Sequence, residues 1–164
     1  MFVRAKIING KKYAYLVKNV WKKGSVKQLN NKYLGRVFSF EKKSFVDFSI
    51  DFSSSLKDVM ISFIKRELYS FGFKDHPRQN AVFFDDIIVN FSSQKIFRGN
   101  KSVVLFFNDR FFYSSSIKDL LFFYAPETED DTKGEKLARL FSDSGILISN
   151  SEFVELYKKI YLQK

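Results

Sequence analysis

Residues 2–17 read FVRAKIINGKKYAYLV, two strand-like runs that flank Asn9-Gly10. Asn and Gly both accept the positive φ that a type I′ turn requires at its two central positions, so the pair predicts a two-residue hairpin loop. A loop of this length fixes the register: Ile8 faces Lys11, and Val3 faces Leu16. The chain is therefore predicted to begin with an antiparallel β-hairpin.

The two faces of this hairpin differ in chemistry, because side chains alternate along a strand and opposite residues share a face. One face is apolar and is predicted to belong to the core; it carries Val3, Ala5, Ile7, Ala14 and Leu16. The other face interleaves cations with aromatic rings; it carries Arg4, Lys6, Tyr13, Tyr15 and, if the strand continues, Trp21.

Turn and cap signals predict the remaining elements. A turn at 22–25 leads into a third strand over 26–40, bulged near Gly35, and the join at 39–55 allows a short strand at 48–52. Helices are predicted after Ser55, within 114–123, over 135–145 and over 149–161, with strands over 81–91 and 101–108. The fold class is α+β, a small N-terminal antiparallel sheet followed by a Phe-rich α+β domain with about four helices.

The charge is unevenly distributed along the chain. Residues 1–43 hold twelve Lys and Arg against one acid, Glu41, which is a net charge of +11. The remaining 121 residues hold 16 bases and 17 acids, so they are close to neutral. We therefore predict a basic antiparallel β module at 1–43 and a near-neutral α+β domain at 44–164.

Composition excludes some kinds of site and argues against a secreted or membrane-spanning protein. The chain has no Cys, so disulfides and thiolate metal sites are excluded. Arg4 and Lys6 interrupt the first apolar run, and no apolar stretch approaches the roughly 18 residues that span a bilayer, so we expect neither a signal peptide nor a membrane span. The predicted location is cytoplasmic. No phosphate-binding Gly-rich loop is present, and no cofactor or metal is predicted.

A family resemblance covers the first quarter of the chain. Phe2-Val3-Arg4, the run from Tyr13 to Val17, the basic turn from Lys22 to Ser25, and Tyr33-Leu-Gly-Arg36 resemble a basic N-terminal module of some archaeal and bacterial DDE-type insertion-sequence transposases. Small uncharacterised archaeal proteins are similar over the same stretch. The resemblance implies a DNA- or RNA-handling context for residues 1–38. It does not imply catalysis, because the chain lacks the length for the usual ribonuclease-H-like domain.

The pattern predicts a non-enzymatic nucleic-acid-binding protein. Lys and Arg displace counterions from phosphates, and aromatic rings stack on unpaired bases, so RNA is favoured over DNA, ribosome-bound RNA included. The predicted contact residues are Arg4, Lys6, Lys11, Lys12, Tyr13, Tyr15, Lys18, Trp21, Lys22, Lys23, Lys27, Lys32 and Arg36. The alternative structural interpretation is a solvated sheet face whose aromatic rings are covered by the second domain. A ribosomal or other protein assembly is a further candidate partner, and the oligomeric state is left open.

Two other functions remain open at this stage. A protein–protein adaptor would use an exposed apolar patch on the Phe-rich segment. A metal-dependent nuclease would use carboxylates such as Asp47, Asp51 or Asp85, but nothing in their spacing joins them, and polar turn and strand-end positions are the favoured interpretation. The lone His76 and the acidic loop from Glu127 to Asp131 are interpreted as structural and solvated features.

Overall fold

The computed structural model describes residues 1–22, 24–123 and 132–161. Within these residues the chain forms nine strands and four helices, which confirms the α+β class. The strands are β1 (Phe2–Ile8), β2 (Lys11–Lys22), β3 (Ser25–Ser39), β4 (Lys74–Asp75), β5 (Ala81–Phe84), β6 (Ile87–Asn90), β7 (Lys95–Arg98), β8 (Lys101–Phe107) and β9 (Arg110–Phe112). The helices are α1 (Leu56–Ser70), α2 (Ser114–Leu121), α3 (Thr132–Ser144) and α4 (Asn150–Tyr161).

The N-terminal hairpin has the predicted register. Asn9 and Gly10 both have positive φ, 49° and 72°, and Ile8 pairs with Lys11 while Val3 pairs with Leu16. The third strand is also present. Its pairing with β2 shifts register between Ala14 and Tyr15, beside Gly35, so the predicted bulge is confirmed.

The three N-terminal strands continue into a larger sheet. Its order is β1-β2-β3-β8-β7-β6-β5-β4, with β9 paired to β8. The connection is a parallel pairing of β3 with β8, in which Arg36 lies opposite Val103 and Ser39 opposite Phe106. The predicted boundary near residue 44 therefore follows β3, a strand of the first segment that pairs with β8 of the second. Two separate domains stay a prediction.

Cap signals in the sequence place the helix ends. The Asp58 amide donates to Ser55 Oγ at 3.1 Å at the start of α1, and Gly72 follows its end with φ 91°. The Ser149 amide donates to Glu152 Oε2 at 2.9 Å, and the Glu152 amide donates to Ser149 Oγ at 3.3 Å, which is a reciprocal capping box at the start of α4.

The main core lies between the helices and one side of the sheet. It combines α1 side chains such as Phe63 and Leu68 with Val103 and Leu105 of β8 and with apolar residues of the other three helices. A small second cluster lies on the opposite side of the sheet. It contains Ala14, Val37 and Val104, with Val3, Leu34, Phe106, Phe111 and Tyr113 packed against it.

Three expectations are wrong in detail. Ile7 was expected in the core but is 76% exposed, because the second cluster reaches only the part of the hairpin nearest β8. No strand forms over 48–52, where the chain runs irregularly before α1. Asp85 and Asp86, expected within a strand, instead form the turn between β5 and β6, and Asp85 has φ 51°.

Glu67 is a buried carboxylate that joins three distant parts of the chain. Its Oε1 accepts from Asn108 Nδ2 at 2.8 Å, and its Oε2 accepts from the Leu147 amide at 3.2 Å. Asn108 also donates to the Gly145 carbonyl at 2.9 Å. Glu67 therefore fastens the β8–β9 turn and the α3–α4 connection to α1.

Replacing Glu67 by Leu should lower the free energy of unfolding by about 2–3 kcal/mol, because the Leu147 amide and the Asn108 amide group lose a buried acceptor. Gln keeps one carbonyl acceptor, so Glu67→Gln should lose roughly 1 kcal/mol. Urea unfolding of wild type, Glu67→Gln and Glu67→Leu measures whether their free energies of unfolding fall in that order. Equal stability of wild type and Glu67→Leu would show that these bonds contribute nothing.

Candidate nucleic-acid interface

Two rows of side chains cross the N-terminal strands on one side of the sheet. In the first row Lys6 pairs with Tyr13, and Tyr13 pairs with Arg36. In the second row Arg4 pairs with Tyr15, and Tyr15 pairs with Tyr33. We call the side of β1–β3 that carries these six residues the tyrosine face, and its opposite side the reverse face.

The tyrosine face is the uncovered continuation of the side that the helices cover. Arg36 and Phe38 of β3 lie opposite Val103 and Leu105 of β8, and paired residues in adjacent strands share a face. Val103 and Leu105 belong to the main core, and Phe38 packs against that core. Among the described residues the helical layer thus ends at β3, and Arg4, Lys6 and Tyr33 are exposed beyond it.

The three tyrosine rings form a cluster. The Tyr33 ring centroid is 6.3 Å from that of Tyr13 and 5.4 Å from that of Tyr15. In both pairs the two rings are tilted rather than stacked flat. Tyr13 and Tyr15 are half-buried, whereas Tyr33 is 53% exposed. The cluster therefore presents aromatic surface to solvent, chiefly through Tyr33.

Cations border the rings. The Lys6 ammonium lies 5.3 Å from the Tyr15 ring centroid, within the range of a cation–π contact. An Arg4 Nη1 donates to Gln28 Oε1. This bond crosses β2, because β2 lies between β1 and β3. Val17 of β2 lies on the tyrosine face and is only 1% exposed.

The titration of Tyr33 suits contact with phosphate. Partial burial, and then the neighbouring phenols of Tyr13 and Tyr15, raise the pKa of Tyr33 above its ordinary value. Like an ordinary tyrosine, Tyr33 is protonated at neutral pH, so its hydroxyl can donate a hydrogen bond without adding negative charge beside Arg4 and Lys6.

The cations of the first segment lack acidic partners. The ion pairs found among the described residues are Lys65–Asp75, Arg66–Glu152, Arg98–Asp86 and Lys158–Glu155, and none includes a Lys or Arg of residues 1–43. No carboxylate of the described residues neutralises their charge, and a polyanion would meet positive charge on this surface.

The predicted contact residues divide between the two faces. By register or alternation the tyrosine face carries Arg4, Lys6, Lys11, Tyr13, Tyr15, Trp21 and Arg36. The reverse face carries Lys12, Lys18, Lys27 and Lys32. Lys12 contacts the second cluster, with its ammonium 4.5 Å from the Phe106 ring centroid. Lys23 and the side chain of Lys22 lie outside the described part of the chain. One flat ligand could not contact all of these residues at once.

Two residues of the interface were missed by sequence reasoning. Tyr33 is placed beside Tyr15 by the long β2–β3 pairing, and a Tyr in a strand of uncertain register gave no sign of that position. Arg98 comes from β7, yet its guanidinium carbon lies 5.4 Å from the Phe38 ring centroid, and that of Arg36 lies 4.9 Å from the same ring. The cationic surface thus extends past β3 into the second segment, although Arg98 also pairs with Asp86.

The carboxylates considered for a nuclease do not assemble into a centre. Asp51 organises a turn, because Ser53 Oγ and Ser54 Oγ donate to its two oxygens at 2.6 and 2.9 Å, and the Ser53 bonds lower the pKa of its carboxyl. Asp85 lies in the β5–β6 turn. Among the described residues no group of three or more His, Asp or Glu is placed to hold a metal ion.

His76 makes a local hydrogen bond within its loop. His76 Nδ1 accepts from the Arg78 amide at 3.3 Å, within the loop after β4, which matches its structural interpretation. No helix in the described residues is both long and apolar enough to cross a membrane. The acidic loop from Glu127 to Asp131 falls on residues that lie outside the described ones.

Comparison with known proteins adds no assignment. No family model, no curated protein and no solved structure matches this chain. The resemblance of residues 2–36 to a transposase module therefore stays a prediction that rests on the residues quoted for it.

Proposed function

We propose that this protein binds nucleic acid without catalysing a reaction, and that the tyrosine face is the contact surface. The observation that carries the proposal is the placement of exposed Arg4, Lys6 and Lys11 beside the tyrosine cluster, in a segment of charge +11 whose cations pair with no described carboxylate. Cations that lack carboxylate partners favour a phosphate lattice as their partner, since counterion release drives such binding.

RNA is the favoured ligand. Proteins commonly recognise RNA through unpaired bases that stack on aromatic side chains of a sheet, and Tyr33 with its two neighbours offers such a surface. All four helices of the described residues belong to the near-neutral segment, so the basic segment could enter a DNA major groove only with its two-stranded β2–β3 ribbon. RNA held in a ribosomal or other protein assembly fits the same chemistry.

A binding titration tests the proposal. Labelled pools of mixed-sequence single-stranded RNA and DNA, followed by fluorescence anisotropy at several salt concentrations, should show salt-dependent binding with the RNA pool bound more tightly. Failure of both pools to bind at low salt would overturn the proposal. Tighter binding of the DNA pool would replace RNA by DNA as the ligand.

An adaptor function is the second candidate, and one observation favours it. Phe45 is 88% exposed and, with Leu147, lines a surface cavity of about 440 Å³ between the 42–48 segment, α1 and the start of α4. Affinity purification from native lysate, with and without ribonuclease, separates the two functions. Loss of the co-purifying molecules after ribonuclease supports RNA binding, whereas partners that persist, and that a Phe45→Ser variant loses, support the adaptor.

A further inference from the structure

The outer part of the β2–β3 hairpin extends beyond the strand pairing with β1 and β8. Pairing with β1 reaches β2 only as far as Val17, and pairing with β8 begins on β3 only at Arg36. Beyond these points the strands pair only with each other, from Lys18 opposite Leu29 to Lys22 opposite Ser25. We call residues 18–22 and 25–29 the distal ribbon. Side chains on both of its faces are exposed, as Asn19 and Trp21 on one face and Lys18 and Lys27 on the other show.

The distal ribbon continues the tyrosine face. Tyr15, Asn19 and Trp21 alternate along β2 with the same parity, and Asn19 pairs with Gln28, which receives the Arg4 hydrogen bond from the tyrosine face. On this side the ribbon presents Trp21, Val26 and two side-chain amides, a set suited to base surfaces and base edges. Lys18 and Lys27 lie on the opposite side.

Trp21 presents a large aromatic ring to solvent. The ring is 76% exposed and is the only Trp in the chain. It lies in a 40-residue stretch that contains no acid, so the surrounding charge complements a polyanion. A nucleic acid supplies both the negative charge and flat apolar faces on which an indole ring can stack.

We propose that Trp21 is a second stacking site, and that the ligand is therefore an unpaired strand long enough to reach from the tyrosine cluster to the distal ribbon. This inference rests on the proposed function. Six residues of extended strand separate Tyr15 from Trp21, which is about 20 Å. A duplex hides its base faces within the stack, so only unpaired nucleotides can occupy both positions.

The solitary Trp allows binding and ribbon contact to be measured separately. Labelled single-stranded oligonucleotides report binding by anisotropy, and the emission of Trp21 reports contact with the ribbon. Oligonucleotides of about 12 nucleotides should bind and quench Trp21, whereas those of about three, below the roughly 4–16 that single-strand sites cover, should leave the emission unchanged.

Substitution at the ribbon tip sharpens the test. Trp21→Ala should weaken binding of the longer strand roughly ten- to a hundredfold, whereas Trp21→Phe, which keeps a stacking ring, should lose much less. Because Trp21 packs into neither core cluster, both variants are expected to fold. Phe45→Ala removes a ring of similar exposure outside the ribbon and should bind like wild type.

The outcomes distinguish failure of the inference from failure of the proposed function. Strands that bind without changing Trp21 emission, together with a Trp21→Ala variant of wild-type affinity, would overturn the second stacking site and leave the proposed function standing. Equal quenching by a duplex of the same sequence would overturn the unpaired-strand ligand. Quenching by anionic vesicles with no binding of any oligonucleotide would overturn the inference and the proposed function together.

Discussion

Replacing Arg4, Lys6 and Lys11 together by Gln is expected to weaken binding of single-stranded RNA and to flatten its dependence on salt. All three side chains are exposed, and no described ion pair involves them. Each phosphate contact to a single strand contributes roughly 0.7 to the slope of log K against log salt, so three lost contacts change the slope by about two. The affinity gap between wild type and variant should therefore shrink about 16-fold when the salt concentration rises fourfold.

The matched control is a second triple variant from the near-neutral segment. Lys57, Lys95 and Lys118 are equally exposed and lie on α1, β7 and α2, so their replacement by Gln removes the same net charge away from the tyrosine face. This control should keep the wild-type slope. Equal slopes for all three proteins would contradict a tyrosine-face interface. A third triple variant at Lys12, Lys27 and Lys32 reports on the reverse face, and a larger effect there would move the interface to that side.

Much of the fold can be predicted from the sequence because the signals that determine it are local. Asn9-Gly10 determines a turn type, the turn determines a register, and alternation then determines which side chains share a face. The caps at Ser55 and Ser149 lie within three residues of the groups they bind. The hairpin register and the starts of α1 and α4 therefore follow from short stretches of sequence.

The part of the interface that was missed depends on contacts between distant residues. Tyr33 lies 18 positions after Tyr15, and a register shift between Leu16 and Val17 hides that pairing from simple counting back from the turn. Arg98 reaches the Phe38 ring only because β3 pairs in parallel with β8, which no turn specifies. Lys12 was grouped with Arg4 and Lys6 by charge, although its parity along β2 places it on the reverse face.

The parallel pairing of β3 with β8 depends on the absence of a side chain at residue 35. Gly35 has φ 139°, a positive value that L side chains rarely adopt. A Cβ built there would lie 2.4 Å from the Ser102 carbonyl oxygen and 2.9 Å from Val103 Cα. Both atoms belong to the β8 backbone, so no side-chain rotation could relieve the overlap.

Gly35→Ala is therefore expected to lower the free energy of unfolding by on the order of 3–5 kcal/mol, since backbone strain adds to the displacement of β3 from β8. That is a large fraction of the roughly 5–15 kcal/mol that stabilises a typical domain. Urea and thermal unfolding followed by circular dichroism measure the loss. Because β3 carries Tyr33 and Arg36, the variant should also bind RNA more weakly under conditions in which it remains folded.

Gly10→Ala separates the backbone strain of a positive φ from the overlap with β8. Gly10 also has positive φ, 72°, but a Cβ there would meet no atom within 4 Å. Its loss should be limited to the conformational term, about 1–2 kcal/mol. A Gly35→Ala variant no less stable than Gly10→Ala would show that β3 and β8 can separate at little cost, and the two segments would then behave as independent units joined by an adaptable strand. A much larger loss at Gly35 would show that the close approach of the two strands holds the basic segment to the helical one.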